Sequence, residues 1–263
     1  MDLGRLSLNQ ITTERLSLSE AVAACQRHSI GHIGVWRHKL GGKEILRDSG
    51  LSVSSLCRGG MFPALTVTER QACIDDNLRA IDEAVSIGAP TLVLVCGPAA
   101  DRDISAARGM VAVGIAAIAG HARAAGVKLG IEPLHPMFAA DRSVITTLAE
   151  ANALAMQFDA AAVGIVIDAF HVWWDPDLYA GIARAKGRIT GFHVSDWLVP
   201  LPDVLLGRGM MGDGVIELRR IREAVDAAGY HGPVEVEIFN RAIWDSDPDS
   251  VLTTMRERFD ALL

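Results

Sequence analysis

A (β/α)8 TIM barrel is the fold class this sequence predicts, and three observations predict it. Eight short apolar runs alternate with helical patterns along 263 residues. No change of composition marks a linker. In the second half, four of the runs stop at an acid or an imidazole: LGIE at Glu132, GIVID at Asp168, ITGFH at His193 and VEVE at Glu237. Strands that alternate with helices form a parallel sheet, and a closed one reaches this length as one core, so residues 1–263 read as a single domain.

The elements follow in order. Leu6-Ser7-Leu8-Asn9 is the first strand, and a helix with Ser19 as its N-cap follows through Ala21 to Arg27. His32 to Trp36 is the second strand and residues 51–56 the third, closing on Cys57-Arg58-Gly59-Gly60. Thr68 caps a helix to Ile87, with Ala72, Leu78, Ile81, Ala84 and Val85 at helical spacing. Gly88-Ala89-Pro90 breaks it before strand four, 91–96. A helix over 101–125 stops at Gly126, and strand five runs 128–132. A helix over 142–158 precedes strand six, Gly164 to Asp168, and strand seven is 189–194. A loop rich in proline and glycine, 197–213, leads to a helix over 216–228, strand eight over 234–238 and a closing helix over 249–262. A doubly wound open sheet would want a glycine-rich turn after the first strand, and Asn9-Gln10-Ile11-Thr12 is not one.

Composition narrows the function. A net charge of −7 argues against nucleic acid, which needs clustered Lys and Arg, and leaves a small substrate open. The four cysteines form no CxxC pair and read as reduced thiols in a cytoplasmic protein. The first ten residues mix charge and polarity, unlike a leader, and no apolar stretch is expected to approach the roughly 20 residues that span a bilayer.

In a parallel barrel the carboxyl ends of the strands emerge on one face. Glu132, Asp168, His193 and Glu237 should therefore converge. Three crowded carboxylates and one imidazole suit a hard divalent cation, Mn²⁺ foremost, with Mg²⁺ or Co²⁺ as alternatives. His171, three residues past Asp168, and His135, three past Glu132, either donate to a sugar oxygen or move a proton, or are simply packed. Asp196 either orients His193 or caps its loop. Arg208 either clamps an oxygen or is solvated. Trp36, Trp173, Trp174 and Trp197 fall at or after strand ends, as stacking platforms or as a seal on the barrel mouth. Nothing resembles a phosphate cradle, which favours a non-phosphorylated substrate.

The pieces IEPLH, IDAFH, GFHVSD, GRGMMGDGVIE and GPVEVEIFN resemble the sugar isomerase and epimerase superfamily built on the xylose-isomerase-like barrel, over essentially the whole chain. The resemblance implies a metal-dependent isomerase or epimerase that abstracts a proton beside a carbonyl and passes through an enediolate. It makes Glu132 and Glu237 ligands and acid/base groups at once, Asp168 and His193 ligands, and His171 and Arg208 substrate contacts. Arg208 lies further past His193 than the comparable arginine of the ketose 3-epimerases. The runs EPLHP and HVWWDPD look more like the barrel subunits of bacterial C-glycoside deglycosidases, lyases that release an aglycone from a 3-keto-glycoside. That resemblance implies a small second subunit, with His135 as proton shuttle and tryptophans such as Trp36 and Trp174 as a bed for the aglycone; otherwise a homo-oligomer is expected. An abasic-site endonuclease shares the barrel but calls for a basic groove, and a barrel without catalysis would not need four intact ligands.

Overall fold

The computed structural model describes residues 2–263. Eight parallel strands form the barrel: β1 (Leu6–Asn9), β2 (His32–Trp36), β3 (Ser52–Gly60), β4 (Thr91–Val95), β5 (Lys128–Ile131), β6 (Val163–Asp168), β7 (Ile189–Val194) and β8 (Val234–Val236). Each pairs with its neighbours in chain order, and β8 closes on β1 with Leu6 opposite Val234 and Leu8 opposite Val236. The (β/α)8 expectation holds.

Alternation along each strand divides the barrel into two environments. Leu6, Leu8, Val234, Val236 and Ile238 are fully buried in the main apolar core that joins staves to helices. The opposite face of the same strands carries Ser7, Asn9, Glu235 and Glu237, also buried. Cys57, Val93 and Val166 form a small separate apolar cluster with Trp36 packed on it.

The outer helices are α1 (Leu18–Arg27), α2 (Ile45–Asp48), α3 (Val67–Ser86), α4 (Ile104–Ala125), α5 (Leu148–Ala155), α6 (Ala169–Val172), α7 (Leu178–Arg184), α8 (Leu218–Ala227), α9 (Arg241–Asp245) and α10 (Pro248–Leu262). Two caps differ from expectation. Ser17 rather than Ser19 caps α1, and Thr66 rather than Thr68 caps α3, because each has a glutamate three residues on, Glu20 and Glu69, that completes a capping box. Asp247 caps α10, with Pro248 in its first turn. The helix expected over 142–158 starts only at Leu148. Residues 142–144 instead bond to the end of β4, through Gly97 N to Arg142 O and Val144 N to Gly97 O, both 2.9 Å.

One expectation about membranes needs correction. The helix α4 is, by length and composition, apolar enough to cross a bilayer, with a mean hydropathy of 1.4 over its best window. Its alanines, valines and isoleucines supply that value. In the fold it is a barrel helix whose Val111, Ile115 and Ile118 face are buried in the main core.

Candidate metal centre

The four strand-end residues meet. Glu132 and Glu237 stand one residue past β5 and β8, Asp168 ends β6, and His193 sits within β7. Backbone bonds fix the two glutamates to neighbouring staves, Glu132 N to Leu94 O at 3.2 Å and Glu237 N to Val194 O at 3.1 Å. One ligand atom from each of the four lies within 4.8 Å of every other, and all four residues are buried. In barrel order β5, β6, β7 and β8 are consecutive, so the two glutamates hold the ends of an arc with Asp168 and His193 between them.

Electrostatics make this cluster costly without a cation. His193 Nδ1 lies 3.3 Å from Glu132 Oε1 and 3.7 Å from Glu237 Oε2, and its Nε2 lies 3.7 Å from Glu235 Oε2. None of these approaches has hydrogen-bond alignment: both ring nitrogens and Glu132 Oε1 are buried without a hydrogen-bond partner among the described residues. Burial, helped by Glu237 and Asp168 against the opposing pull of His193, pushes the Glu132 carboxyl up to about 7. Burial works to discharge the His193 ring, but Glu235, Glu132 and Glu237 outweigh it and hold the ring's pKa well above the imidazole range. Orphaned buried ligand atoms in a pocket of three carboxylates and an imidazole are the donor set of a divalent ion with oxygen and nitrogen ligands. The residues fit such an ion.

Arg208 completes the charge balance. It is delivered by a two-residue antiparallel ribbon, Asp196–Trp197 with Arg208–Gly209, inside what the sequence reads as a plain loop. Its Nη1 donates to Asp168 Oδ2 at 2.7 Å and Glu237 Oε2 at 3.2 Å, and the guanidinium stacks over Phe170 and Phe239. Burial disfavours the charge on Asp168, yet the Arg208 guanidinium beside it, with help from His171, holds the carboxyl below its ordinary value.

His171 lies on α6, buried, and burial drives its pKa down to about 3. Its Nε2 lies 3.0 Å from Arg208 Nη2, and its Nδ1 accepts the His135 amide at 3.2 Å. A neutral ring accepts at one nitrogen only, so these two contacts compete. Asp196 organises the ribbon: it accepts from the amides of Trp197, Gly212 and Ile216 at 2.8–3.0 Å, the loop-cap alternative of the two expected.

A cavity opens above the cluster. Glu132, Glu237, His171 and Arg208 line its floor, and Trp36, Arg58, Phe138, Arg142, Leu205 and Phe239 are among its walls. Of the tryptophans singled out in the sequence, Trp36 is in this wall. Trp197 stacks on Phe170 and contacts Trp173, while Trp174 packs edge-on against His135 and donates to the His171 carbonyl. Neither His135 nor Trp174 is among the cavity's lining residues.

Sequence reasoning missed Glu235. It lies inside the barrel with His193 on one side and accepts from Asn9 Nδ2 at 3.0 Å on the other; Asn9 Oδ1 in turn accepts from the Trp36 indole at 2.8 Å. The signal was present, since Glu235 and Glu237 are two apart on one strand and must share a face.

The xylose isomerase-like TIM barrel family matches residues 40–260. Among solved structures, protein SMc04130 from Sinorhizobium meliloti 1021 is 47% identical, with 99% of each chain covered and a TM-score of 0.96. The IolI protein with a bound zinc atom is 18% identical, covering 98% of this chain and 97% of that one, TM-score 0.86. An L-ribulose 3-epimerase is 18% identical over 98% of this chain and 94% of its own, TM-score 0.75. No curated protein matches the sequence. With its eight closed staves, its cluster of four ligand side chains and a match across most of its length, this chain belongs to the xylose isomerase-like TIM barrel family.

Proposed function

We propose that the protein is a divalent-metal-dependent isomerase or epimerase of a small keto-sugar, with Glu132 and Glu237 as the proton-transferring pair. One observation carries the reading: the two glutamates stand at opposite ends of the four-stave arc, flanking whatever carbon rests over the cluster. Glu132, Asp168, His193 and Glu237 would hold the ion. Mn²⁺ suits that donor set, and Mg²⁺ or Co²⁺ is compatible with it. When bound, the ion polarises a carbonyl and its neighbouring hydroxyl and offsets the negative charge that develops on proton loss.

The rest falls to the chain's own groups. A carboxylate on one side of a carbon next to a carbonyl removes its proton, and one on the other side returns it with the opposite configuration. Glu132 and Glu237, buried at the two ends of the arc, are placed to take up that proton and return it. Arg208 and His171 reach the cavity floor to bind substrate oxygens, and Trp36 and Phe239 exclude water from its wall. The L-ribulose 3-epimerase among the structural neighbours and the zinc of the IolI protein are in keeping with this chemistry.

Elimination of an aglycone, the other reading of the sequence, relies on a bed of tryptophans. Trp173 and Trp197 instead pack on each other, and Trp174 on His135. The test is deuterium incorporation in heavy water across a panel of keto-sugars and 3-keto-glycosides with Mn²⁺ supplied. Exchange at one carbon without a leaving group is expected; release of free aglycone without such exchange contradicts the proposal.

A further inference from the structure

Two arginines in the cavity wall lack a buried acid as partner, although the Arg142 guanidinium lies over the Phe138 ring, 5.7 Å from its centroid. Arg58 sits where β3 bulges against β4: Cys57 pairs with Val93 and Gly59 with Leu94, leaving Arg58 as the extra residue. Bulges at barrel rims re-aim a side chain, and this one sends Arg58 into the wall above Glu132 and Glu237. Among the described residues its guanidinium has no hydrogen bond or ion pair. Arg142 lies on the arm that backbone bonds pin to Gly97. Its Nε is buried without a hydrogen-bond partner, and its nearest carboxylate, the exposed Asp141, stands 3.7 Å away.

The two side chains are close enough to feel each other. Burial first, and then the positive charge of Arg142, pull the Arg58 pKa below its ordinary value. Asp76, which lines the outer part of the same opening, is already held by Arg37 and Arg79. Like charges gathered in a half-buried wall, with no acid between them, disfavour each other until an anion arrives. Guanidinium forks match planar carboxylates and phosphates two bonds at a time.

We propose that Arg58 and Arg142 bind an oxyanion carried by the substrate, a carboxylate or a phosphate, at the end of the molecule away from the four-ligand cluster. This deepens the isomerase reading and rests on it. It reverses the expectation that no anion cradle exists, because one arginine comes from the β3 bulge and the other from the arm after β5, 84 positions apart, and no local motif joins them. The substrate class is thereby narrowed to keto-sugar acids or keto-sugar phosphates.

The test uses three probes of one carbon skeleton: D-glucitol, D-gluconate and D-glucitol 6-phosphate, titrated calorimetrically into the Mn²⁺-loaded protein at fixed ionic strength. At least one anionic probe is expected to bind tenfold or more tighter than D-glucitol, and which anion is favoured identifies the group. In the variant with Arg58→Gln and Arg142→Gln that preference should vanish while Mn²⁺ affinity stays unchanged. If the double variant does not fold, each single variant, Arg58→Gln or Arg142→Gln, makes the same comparison with a partial loss. Equal binding of all three probes, no binding of any, or a preference that survives the substitutions overturns the proposal. Failure of the wild-type chain to bind Mn²⁺ would instead sink the isomerase reading, so the two failures are read separately.

Discussion

The Glu235 carboxylate stands 3.7 Å from Nε2 of His193, while the other ring nitrogen of that histidine faces Glu132 at 3.3 Å. The ring is thus held between a carboxylate that would share the ion and one that would not. Carboxylates behind a ligating imidazole set its orientation and basicity, and losing one typically weakens metal binding about 10–100-fold. Glu235→Gln is expected to lower Mn²⁺ affinity by that order, measured by titration calorimetry, with the barrel intact by circular dichroism. Unaltered affinity would mean that Glu235 is packing alone.

Room for Glu235 is made by Gly34 on β2. A Cβ at Gly34 would lie 2.0 Å from Glu235 Oε2, well inside contact distance. The carboxylate is buried and bonded to Asn9, so it has little space to retreat. Gly34→Ala should cost about 1–3 kcal/mol of stability by overpacking and should also weaken Mn²⁺ binding. A melting temperature and an affinity both equal to wild type would refute the packing argument.

Glu237 is expected to matter more for turnover than for folding. It lies past the end of β8, outside the main apolar core, and Gln has nearly its shape. Glu237→Gln, assayed at saturating Mn²⁺, should cut deuterium exchange at the substrate carbon by at least about 100-fold, the scale of a lost general base. Exchange at the wild-type rate would remove the two-glutamate mechanism.

Acid sensitivity is expected at the other end of the charge inventory. Arg37, just past β2, forks onto Asp76 at 2.8 Å and Glu83 at 2.6 Å of α3. Its hydrogen bonds hold the Asp76 carboxyl below the usual range. A carboxyl depressed in the folded state stabilises above its unfolded pKa, near 4, and that contribution disappears as pH falls through the depressed value. Asp76 is nearly half exposed, so the contribution is screened and amounts to no more than about 1 kcal/mol. Arg37→Ala should therefore melt below wild type at pH 7, with the gap closing toward pH 3. A gap independent of pH would place the effect in packing.

How far the sequence could be read follows from where each signal resides. Strands buried on both faces show as apolar runs, and an acid closing such a run is out of place, so Glu132, Asp168, His193 and Glu237 could be named before any coordinates. Glu235 was hidden within its run, because the eye stops at the strand's end and not at its inward face. The short helix α7 went unread: only Leu178, Gly181 and Ile182 are buried on it, too few for a periodic pattern. β3 runs on to Gly60 through its bulge, where a straight strand would have ended. The pairing of Arg58 with Arg142 depends on a loop docking against Gly97, a tertiary event with no local trace.

The central claim is that four side chains from consecutive staves grip one divalent ion. Calorimetric titration of chelator-treated protein with Mn²⁺ tests it most directly, read beside Asp168→Ala and His193→Ala. The account predicts one ion per chain for the wild type and loss of that binding in both variants. No binding by the wild type, or binding undiminished in the variants, would contradict it.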